Sequence, residues 1–212
     1  MPASICDKVI DYLVRNRVST TEVADALGKT GVVPDLMPIN RGYYKAGKIK
    51  WVYAYDESNW PVHEQIQELE EDNIVFVDTF NCGNRAIFGE LVSKYILLYR
   101  QSRAIVINGN MRDAAALIRE NWPIWCKGLN PVGCFNRKPD KPFNEERRKK
   151  QYGCDGLCYG GMNDDGVMCQ PCGGIDTCEE TRYIEAFATW GAALVSFQSL
   201  RPVGTFTFSG IQ

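Results

Sequence analysis

The chain has 212 residues, 45% hydrophobic and 24% charged, which is ordinary for a globular protein and excludes a collagen-like or largely disordered chain. Lys and Arg number 24 against 26 Asp and Glu, so the net charge is −2 and the basic excess typical of nucleic-acid-binding domains is missing. We therefore expect no nucleic-acid partner. At about 150 residues per domain, this length predicts one domain over residues 1–212.

The sequence offers no segment suited to a membrane. The longest uncharged stretch near the C-terminus, residues 186–200, is shorter than the roughly 20 residues that a spanning helix needs. Residues 1–18 mix charged with apolar residues, unlike a secretory signal peptide. We therefore expect a cytoplasmic protein without a membrane partner, in which the nine cysteines are thiols or metal ligands rather than disulfides.

Hydrophobic periodicity and turn residues divide the chain into helices and strands. Ser19 and Glu22 form the pattern of a capping box, and Pro61 suits the first turn of a helix. In chain order we predict helices over 5–16 and 20–27, a strand over 47–55, a helix over 60–69, a strand over 74–78, a helix over 87–99, a strand over 104–107, a helix over 112–120, strands over 123–126 and 166–170, a helix over 178–197 and a β-like tail over 204–209.

The middle of the chain alternates strand and helix, which predicts an α/β fold with a largely parallel sheet covered by helices. Residues 130–180 instead combine Pro, Gly, charges and cysteines, and we predict an irregular basic and cysteine-rich insertion there. Its basic part, residues 136–150, holds seven Lys or Arg. Such a run could dock an acidic partner or RNA, but a solvated loop is the default interpretation.

The most informative segment is a buried strand, a glycine-bearing loop over 108–111, and then Arg112 and Asp113 at the start of a helix. Ligands of open α/β sheets bind beyond the carboxyl ends of strands. There an arginine fork can bind a carboxylate, and an aspartate can ligate a hard divalent cation. A local ion pair, or an Asp favoured by the helix dipole, explains the same two residues without a ligand.

The preceding strand–helix junction carries Gly89, Glu90, Leu91 and Val92. Gly89 would let a ligand approach the main chain, and free amides at a helix start suit a carboxylate oxygen. Taken alone, Gly89 is equally an ordinary loop glycine. Because the two junctions are consecutive in the β-α-β-α order, we expect their loops to share one rim of the sheet.

Several segments, in this order and spacing, resemble the RraA-like family, named for the regulator of ribonuclease activity A, which includes 4-hydroxy-4-methyl-2-oxoglutarate aldolases. The resemblance runs from residue 19 to about residue 171. The matching segments are STTEVADAL at 19–27, NWPVH at 59–63, GELV at 89–92, GNMRD at 109–113, PIWCKG at 123–128 and NDDGV at 163–167.

The resemblance implies a layered α-β-β-α domain of the swivelling β/β/α kind, assembled as a homotrimer or homohexamer with sites near subunit boundaries. In the aldolase members the segment equivalent to Gly89–Val92 binds substrate through its main chain. The equivalent of Arg112 binds the pyruvoyl carboxylate, and the equivalent of Asp113 holds Mg²⁺ or Mn²⁺. The implied function is a lyase that cleaves a small α-keto acid to pyruvate, or decarboxylates oxaloacetate, through a metal-stabilised enolate.

One departure from the aldolase pattern supports a different class of function. Aldolases carry Glu or Asp three residues after the metal-binding Asp, and this chain has Ala116 there. Loss of that carboxylate weakens the orientation of metal-bound water. The alternative is a non-catalytic regulator that binds a protein partner, resembling the inhibitors of ribonuclease E; Ala116 and the basic insertion favour it, whereas Gly89, Arg112 and Asp113 favour the enzyme.

Two further sets of residues are candidates. His63, the single histidine, lies early on a predicted helix; the resemblance places it near the cleft, where it could move a proton, although a surface or packing histidine is the ordinary alternative. Four cysteines have spacing compatible with a structural zinc that pins the insertion, and buried thiols are the alternative. They are Cys154, Cys158, Cys169 and Cys172.

Overall fold

The computed structural model of the chain describes residues 5–27, 29, 31–147 and 157–171. Its helices there are α1 (Ile5–Asn16), α2 (Thr20–Ala26), α3 (Trp60–Gln65), α4 (Glu90–Lys94) and α5 (Ala114–Arg119). A 3₁₀ turn, Ile66–Glu68, continues α3, and a π-helical turn, Tyr95–Tyr99, continues α4. The strands are β1 (Val32–Val33), β2 (Met37–Pro38), β3 (Lys45–Tyr55), β4 (Ile74–Phe80), β5 (Ala104–Met111), β6 (Ile124–Leu129), β7 (Leu157–Asn163) and β8 (Gly166–Pro171).

The local signals at two helix starts are confirmed. Ser19 caps α2, accepting a hydrogen bond from the Glu22 amide while the Glu22 carboxylate accepts one from the Ser19 amide. Pro61 lies in the first turn of α3, where the missing N–H is not needed for the helix. Both motifs act within four residues, so the sequence alone predicts them correctly.

The strands of the described residues connect in the order β1-β8-β7-β3-β4-β5-β6-β2. The long strand β3 joins two parts of this sheet: residues 45–48 pair antiparallel with β7, and residues 49–55 pair parallel with β4. β4, β5 and β6 continue the parallel part. The parallel pairing predicted for the middle of the chain is confirmed from β3 to β6, whereas β1, β2, β7 and β8 add antiparallel pairs to the sheet.

Three hydrophobic clusters separate four layers. One face of the parallel strands packs on the helices α3 and α5 and the chain around α4. The opposite face packs on the antiparallel strands, whose outer side is covered in turn by α1 and α2. The buried residues that define these contacts include Val77, Ile107 and Leu117; Phe76, Trp125 and Met162; and Val9, Leu13 and Met168. The α-β-β-α layering implied by the resemblance is therefore confirmed.

The strand β5 is longer than predicted. It runs through Met111, so the predicted loop over residues 108–111 is wrong, with a register shift between Ile107 and Asn110. A Cβ at Gly109 would lie 2.8 Å from Thr79 Cγ2, so the close neighbouring strand requires glycine there. An Asn-Gly-Asn segment looks like a loop in the sequence because the residues suited to this crowded strand are also turn residues.

The helices that follow β4 and β5 are shorter than predicted. α4 begins at Glu90 rather than at residue 87, and α5 begins at Ala114 rather than at residue 112. The residues before each helix start are instead held by hydrogen bonds to neighbouring segments, such as the bond from the Ile87 amide to the Asn110 carbonyl at 2.9 Å. Tertiary contacts therefore decide where these two helices begin.

One strand lies where the sequence predicted irregular structure. β7 pairs antiparallel with both β3 and β8. A Cβ at Gly160 would lie 2.9 Å from the Met168 carbonyl oxygen, so the tight strand pairing requires glycine. Glycine removes the alternating side-chain pattern by which a strand is recognised in a sequence.

The basic segment is only partly a solvated loop. Phe143 stacks on Tyr53 with ring centroids 4.1 Å apart, and its ring centroid lies 4.9 Å from that of Phe80 and 5.4 Å from that of Tyr55. Aromatic pairs at these separations add to the gain from burying the rings. The interpretation as a fully solvated loop is therefore wrong at Phe143, which attaches the segment to the sheet.

Some predictions lie outside the described residues, namely the helix over 178–197, the tail over 204–209, and part of the cysteine-rich insertion. Across the part of the chain that the structure describes, no helix is both long enough and apolar enough to cross a membrane.

Candidate functional site

The candidate site lies where β4, β5 and β6 end. The chain after β4 passes between the end of β5 and the segment after β6. On the β6 side, Ala86 donates to the Val132 carbonyl at 2.8 Å and accepts from the Cys134 amide at 2.9 Å, and on the β5 side the Ile87 amide donates to the Asn110 carbonyl at 2.9 Å. These bonds fix the backbone of the residues before Gly89 in the way that ladder hydrogen bonds fix a strand. The loop that carries Gly89 is thus positioned by both neighbouring segments.

Gly89 and Asp113 lie in direct contact. The Glu90 amide donates a hydrogen bond to Asp113 Oδ2 at 3.0 Å. A Cβ at Gly89 would overlap Asp113 Oδ2, and would lie 2.7 Å from Asp113 Cγ and 2.9 Å from Arg112 Cγ. The expectation that the two junctions share one rim is therefore confirmed, and glycine is required because a side chain would displace both residues.

The main chain around Gly89 is fixed on both sides. The Ser93 amide and hydroxyl both donate to the Gly89 carbonyl, at 3.1 and 2.9 Å. The Arg112 amide donates to the Phe88 carbonyl at 3.2 Å. The start of α4 and the end of β5 are consequently held together before any ligand binds.

Asp113 has an unusual backbone conformation for a non-glycine residue. It precedes α5 at φ 62° and ψ 37°, in the left-handed region, and its side chain makes no capping hydrogen bond to that helix. Asp enters this region more readily than most residues, at a cost of about 1 kcal/mol. Asp113 occupies the N-cap position of α5, but its carboxylate accepts from the Glu90 amide of α4 and makes no capping hydrogen bond to α5.

Arg112 and Asp113 also do not form a strong ion pair. Arg112 Nε lies 3.9 Å from Asp113 Oδ2, and the two side chains are 50% and 46% exposed. Exposed pairs at such a distance contribute little to stability. The arginine fork and the carboxylate are therefore both accessible to a ligand.

Sequence reasoning missed Gly133, which lines the same site. A Cβ there would lie 2.8 Å from Arg112 Nη1, so this glycine leaves the space that the guanidinium occupies. The only signal in the sequence is the glycine itself, which nothing distinguishes from the other glycines of the chain. Its role depends on a contact between Arg112 and a segment far along the chain, which spacing does not reveal.

The structure does not join His63 to these residues. In the described residues no hydrogen bond or ion pair connects its imidazole to Arg112 or Asp113. Burial lowers the pKa of His63 below its usual value. The beginning of α3 does reach the site wall, because Asn59 Nδ2 donates to the Ile87 carbonyl at 2.8 Å.

The carboxylates around the site are few. Glu90 pairs with Lys94 at 2.7 Å and with Arg119 at 3.7 Å, so it is neutralised by cations. Ala116 lies one turn into α5, where its amide donates to the Asp113 carbonyl at 3.0 Å. Among the described residues no group of three or more His, Cys, Asp or Glu could hold a metal ion. A divalent cation here would rely on the single carboxylate of Asp113.

The predicted zinc site remains untested. Of its four cysteines, only Cys169 has a described side chain, and the others fall outside the residues whose side chains are described. Cys169 is buried, and burial raises the pKa of its thiol. A buried thiol is the ordinary alternative for this residue, and the zinc site stays a prediction.

The protein is thus a four-layer α/β protein with a glycine, an arginine and an aspartate in contact at the strand ends. The sequence profile of the RraA-like family, described as Aldolase/RraA, matches residues 20–148. The chain belongs to the RraA-like family.

Comparison with known proteins agrees with this assignment. A protein of Halalkalibacterium halodurans, named as a candidate 4-hydroxy-4-methyl-2-oxoglutarate aldolase, is 27% identical over 124 residues, which cover 56% of this chain and 57% of that protein. The chain thus matches little more than half the length of this relative.

Solved structures show the same fold. Streptomyces coelicolor RraAS2, described as an unusual member of the RNase ES inhibitor RraA family, is 14% identical, with a TM-score of 0.65 over 92% of this chain and 98% of that chain. The RNA-processing inhibitor RraA from Thermus thermophilis is 19% identical, with a TM-score of 0.54 over 75% of this chain and 97% of that chain. At these identities the likeness shows the fold alone.

Proposed function

We propose that the protein is a divalent-metal-dependent lyase that acts on a small α-keto acid. The reaction is retro-aldol cleavage to pyruvate or decarboxylation of oxaloacetate. The observation that carries this proposal is the contact of Gly89 with Arg112 and Asp113, which presents an arginine fork and a carboxylate side by side at the strand ends. The name of the Halalkalibacterium halodurans relative supports the same reaction class.

The residues present fit a weakly held Mg²⁺ or Mn²⁺. Asp113 is half exposed, and the Glu90 amide that bonds Oδ2 orients the carboxylate. Mg²⁺ is commonly held by one or two carboxylates while keeping several waters, so a single aspartate is a sufficient anchor. Bound there, the metal would supply the Lewis acid that stabilises an enolate.

The chain's own residues bind and orient the substrate. Arg112 binds the α-keto carboxylate through two parallel hydrogen bonds, a geometry that lysine lacks. Helix first-turn amides have no acceptor inside the helix. In α4 the Glu90 amide is used by Asp113, so we assign the amides of Leu91 and Val92 to the substrate.

His63 remains a candidate for moving a proton. Its pKa is lowered by burial, which keeps the imidazole neutral and able to accept a proton near neutral pH. Among the described residues it has no hydrogen bond or ion pair with Arg112 or Asp113, so a role for it requires the substrate to extend toward α3. A His63→Gln variant that retains full turnover would remove this assignment.

We propose that the subunits form a homotrimer or homohexamer, as the family resemblance implies. Exposed apolar residues on α4 and the turn that continues it support a subunit contact there, since Leu91 is 81%, Tyr99 72% and Leu98 61% exposed. Large apolar side chains that cluster on a surface mark contact sites. Light scattering after gel filtration measures the number of chains, and a monomer would contradict this proposal.

The alternative function is a regulator that binds a protein partner. The observation in its favour is Ala116, because α5 presents a methyl group where the aldolases carry a second carboxylate. The partner would be a ribonuclease of the type that the related inhibitors bind. Inhibition of ribonuclease E cleavage by the purified protein, without lyase turnover, would establish this alternative.

The test of the lyase is pyruvate release from 4-hydroxy-4-methyl-2-oxoglutarate and from oxaloacetate, with Mg²⁺ or Mn²⁺. We expect turnover above the metal-only background, and a loss of about 10- to 100-fold in Arg112→Ala, the amount that one charge-assisted contact is worth. Arg15→Ala is the matched control, because this exposed arginine pairs only with Asp11 on α1. Absence of turnover in the folded wild type would overturn the lyase on these substrates.

Metal binding has a separate readout. Titration with Mn²⁺, followed by the loss of its free electron-spin-resonance signal, should show a site in the wild type that is absent in Asp113→Asn. Asp11→Asn is the control, since Asp11 is an exposed carboxylate on α1 that pairs with Arg15. Equal Mn²⁺ binding by all three proteins would show that Asp113 does not hold the metal.

A further inference from the structure

Two cysteines far apart in the sequence meet beside the candidate site. Cys82 follows β4 and Cys134 follows β6, and the two thiols lie close enough for each to shift the pKa of the other. Both belong to the hydrophobic cluster beneath the site. The fold, rather than sequence spacing, brings this pair of thiols together.

The backbone holds the two cysteines on adjoining segments. The Arg85 amide donates to the Cys82 carbonyl at 3.2 Å, and the Cys134 amide donates to the Ala86 carbonyl at 2.9 Å. Arg85 Nη1 donates to the Gly133 carbonyl at 3.1 Å. The Glu57 amide also donates to the Asn81 carbonyl at 3.1 Å, and the Phe135 amide donates to the Glu57 carbonyl at 2.8 Å, so the chain neighbours of Cys82 and Cys134 flank the same residue.

The two thiols are chemically unequal. Cys82 is only 3% exposed and donates to the Phe80 carbonyl at 3.7 Å, whereas Cys134 is only partly buried. The neighbouring Cys82 thiol and the Arg85 guanidinium lower the pKa of Cys134, although burial and Glu57 oppose them. The neighbouring Cys134 thiol, together with burial, raises the pKa of Cys82. Cys134 is therefore the more reactive thiol, because it is the more exposed of the two and has a guanidinium beside it.

We propose that Cys82 and Cys134 form a thiol–disulfide exchange site that low-molecular-weight disulfides, such as glutathione disulfide, oxidise to an intramolecular disulfide. The Cys134 thiolate attacks one sulfur of the reagent, forming a mixed disulfide and releasing one thiolate. Cys82 then loses its proton and attacks the Cys134 sulfur, releasing the second thiolate. Two electrons pass from the protein to the reagent, which leaves as two thiols.

The other described cysteines lack such a partner. Cys126 is buried, its thiol donates to the Gly128 carbonyl at 3.4 Å, and burial raises its pKa to about 11. Cys169 is likewise buried with a raised pKa. These two thiols are internal controls, because both are buried and, among the side chains that the structure describes, neither has a second thiol beside it.

The disulfide would tie the chain before Gly89 to the segment that carries Gly133. Gly133 leaves the space for the Arg112 guanidinium, so the cross-link lies in the wall of the arginine pocket. This exchange site does not depend on the lyase assignment, since its formation is measured without any substrate.

The experiment equilibrates the full-length protein with graded ratios of glutathione disulfide to glutathione. Free thiols are then blocked with N-ethylmaleimide, and the digested peptides are mapped by mass spectrometry. We expect a cross-linked peptide pair containing Cys82 and Cys134, reversed by dithiothreitol, while Cys126 and Cys169 stay reduced. If other thiols of the wild-type chain become oxidised at a given ratio but this peptide pair does not form, the proposal is wrong.

Variants test the order of the two steps. Cys82→Ser should stop the reaction at a glutathione adduct on Cys134, and Cys134→Ser should leave Cys82 reduced. Cys126→Ser is the matched control and should form the Cys82–Cys134 disulfide as the wild type does. An adduct that accumulates on Cys82 instead of Cys134 would contradict the assigned roles.

Discussion

Asp113 Oδ2 accepts the Glu90 amide across 3.0 Å, and this bond joins the start of α4 to the end of β5. The bond exists only because Gly89, one residue earlier, has no Cβ. Asp113 in turn reaches it by adopting a left-handed backbone conformation. The site therefore needs both strand–helix junctions: one supplies Gly89 and the Glu90 amide, and the other supplies Asp113.

Gly89→Ala should disable the site while leaving the fold intact. The added methyl group would overlap Asp113 Oδ2 and displace Arg112, and misplacing catalytic groups by about 1 Å costs roughly 100-fold in rate. We expect that loss in pyruvate release, with far-ultraviolet circular dichroism unchanged. Gly161→Ala is the control, because nothing lies within 4 Å of a Cβ there. Wild-type activity in Gly89→Ala would show that the Asp113–Glu90 contact is not needed.

Ala116→Glu should strengthen metal binding. Position 116 lies three residues after Asp113, so the new carboxylate would lie on the same side of α5 and could orient metal-bound water. We expect Mn²⁺ to bind about 10-fold more tightly, measured by titration of the free Mn²⁺ signal. Ala115→Glu adds the same charge at an exposed position on another side of α5 and should change little. Equal affinity in both variants would mean that only the charge matters, not its position.

His63 should make the protein less stable as the pH falls. Burial lowers the pKa of His63 in the folded state, so below about pH 6.5 the unfolded chain takes up a proton before the folded chain does. The free energy of unfolding should therefore fall between pH 7 and the folded-state pKa. Urea unfolding across this range measures it, and His63→Gln should flatten that part of the profile.

Nuclear magnetic resonance gives an independent check on His63. It is the single histidine of the chain, so one imidazole C–H signal reports its pKa without assignment by mutation. A measured pKa above 6.5 would contradict the burial of the ring and remove the predicted pH dependence.

Phe143→Ala should release the basic segment from the sheet. The ring stacks on Tyr53 at 4.1 Å and packs on Phe80 at 4.9 Å, and loss of a partly buried aromatic ring costs about 1–3 kcal/mol. We expect faster tryptic cleavage after Arg147, measured against the wild type. Phe135→Ala is the control, because that ring is already exposed and contacts two arginine side chains. Equal cleavage rates in the wild type and Phe143→Ala would show that stacking does not hold the segment.

Local features were predictable from the sequence. The capping box of Ser19 and Glu22 and the first-turn Pro61 depend on residues a few positions apart and are found where predicted. The predicted apolar strands each begin within two residues of the predicted position, although several extend further. The order of strands and helices also predicted the parallel sheet. The pair Arg112 and Asp113 stood out because two charged residues followed a buried strand.

Long-range contacts decided what the sequence did not show. Three features involve segments that only the folded sheet brings together. They are the clash that makes Gly89 necessary, the space that Gly133 leaves for Arg112, and the proximity of Cys82 to Cys134. The strand β7 was missed because the glycines needed for its tight pairing remove the side-chain alternation. A sequence pattern reflects interactions between residues close together along the chain, whereas these features depend on the fit between segments that are distant along the chain and adjacent in the fold.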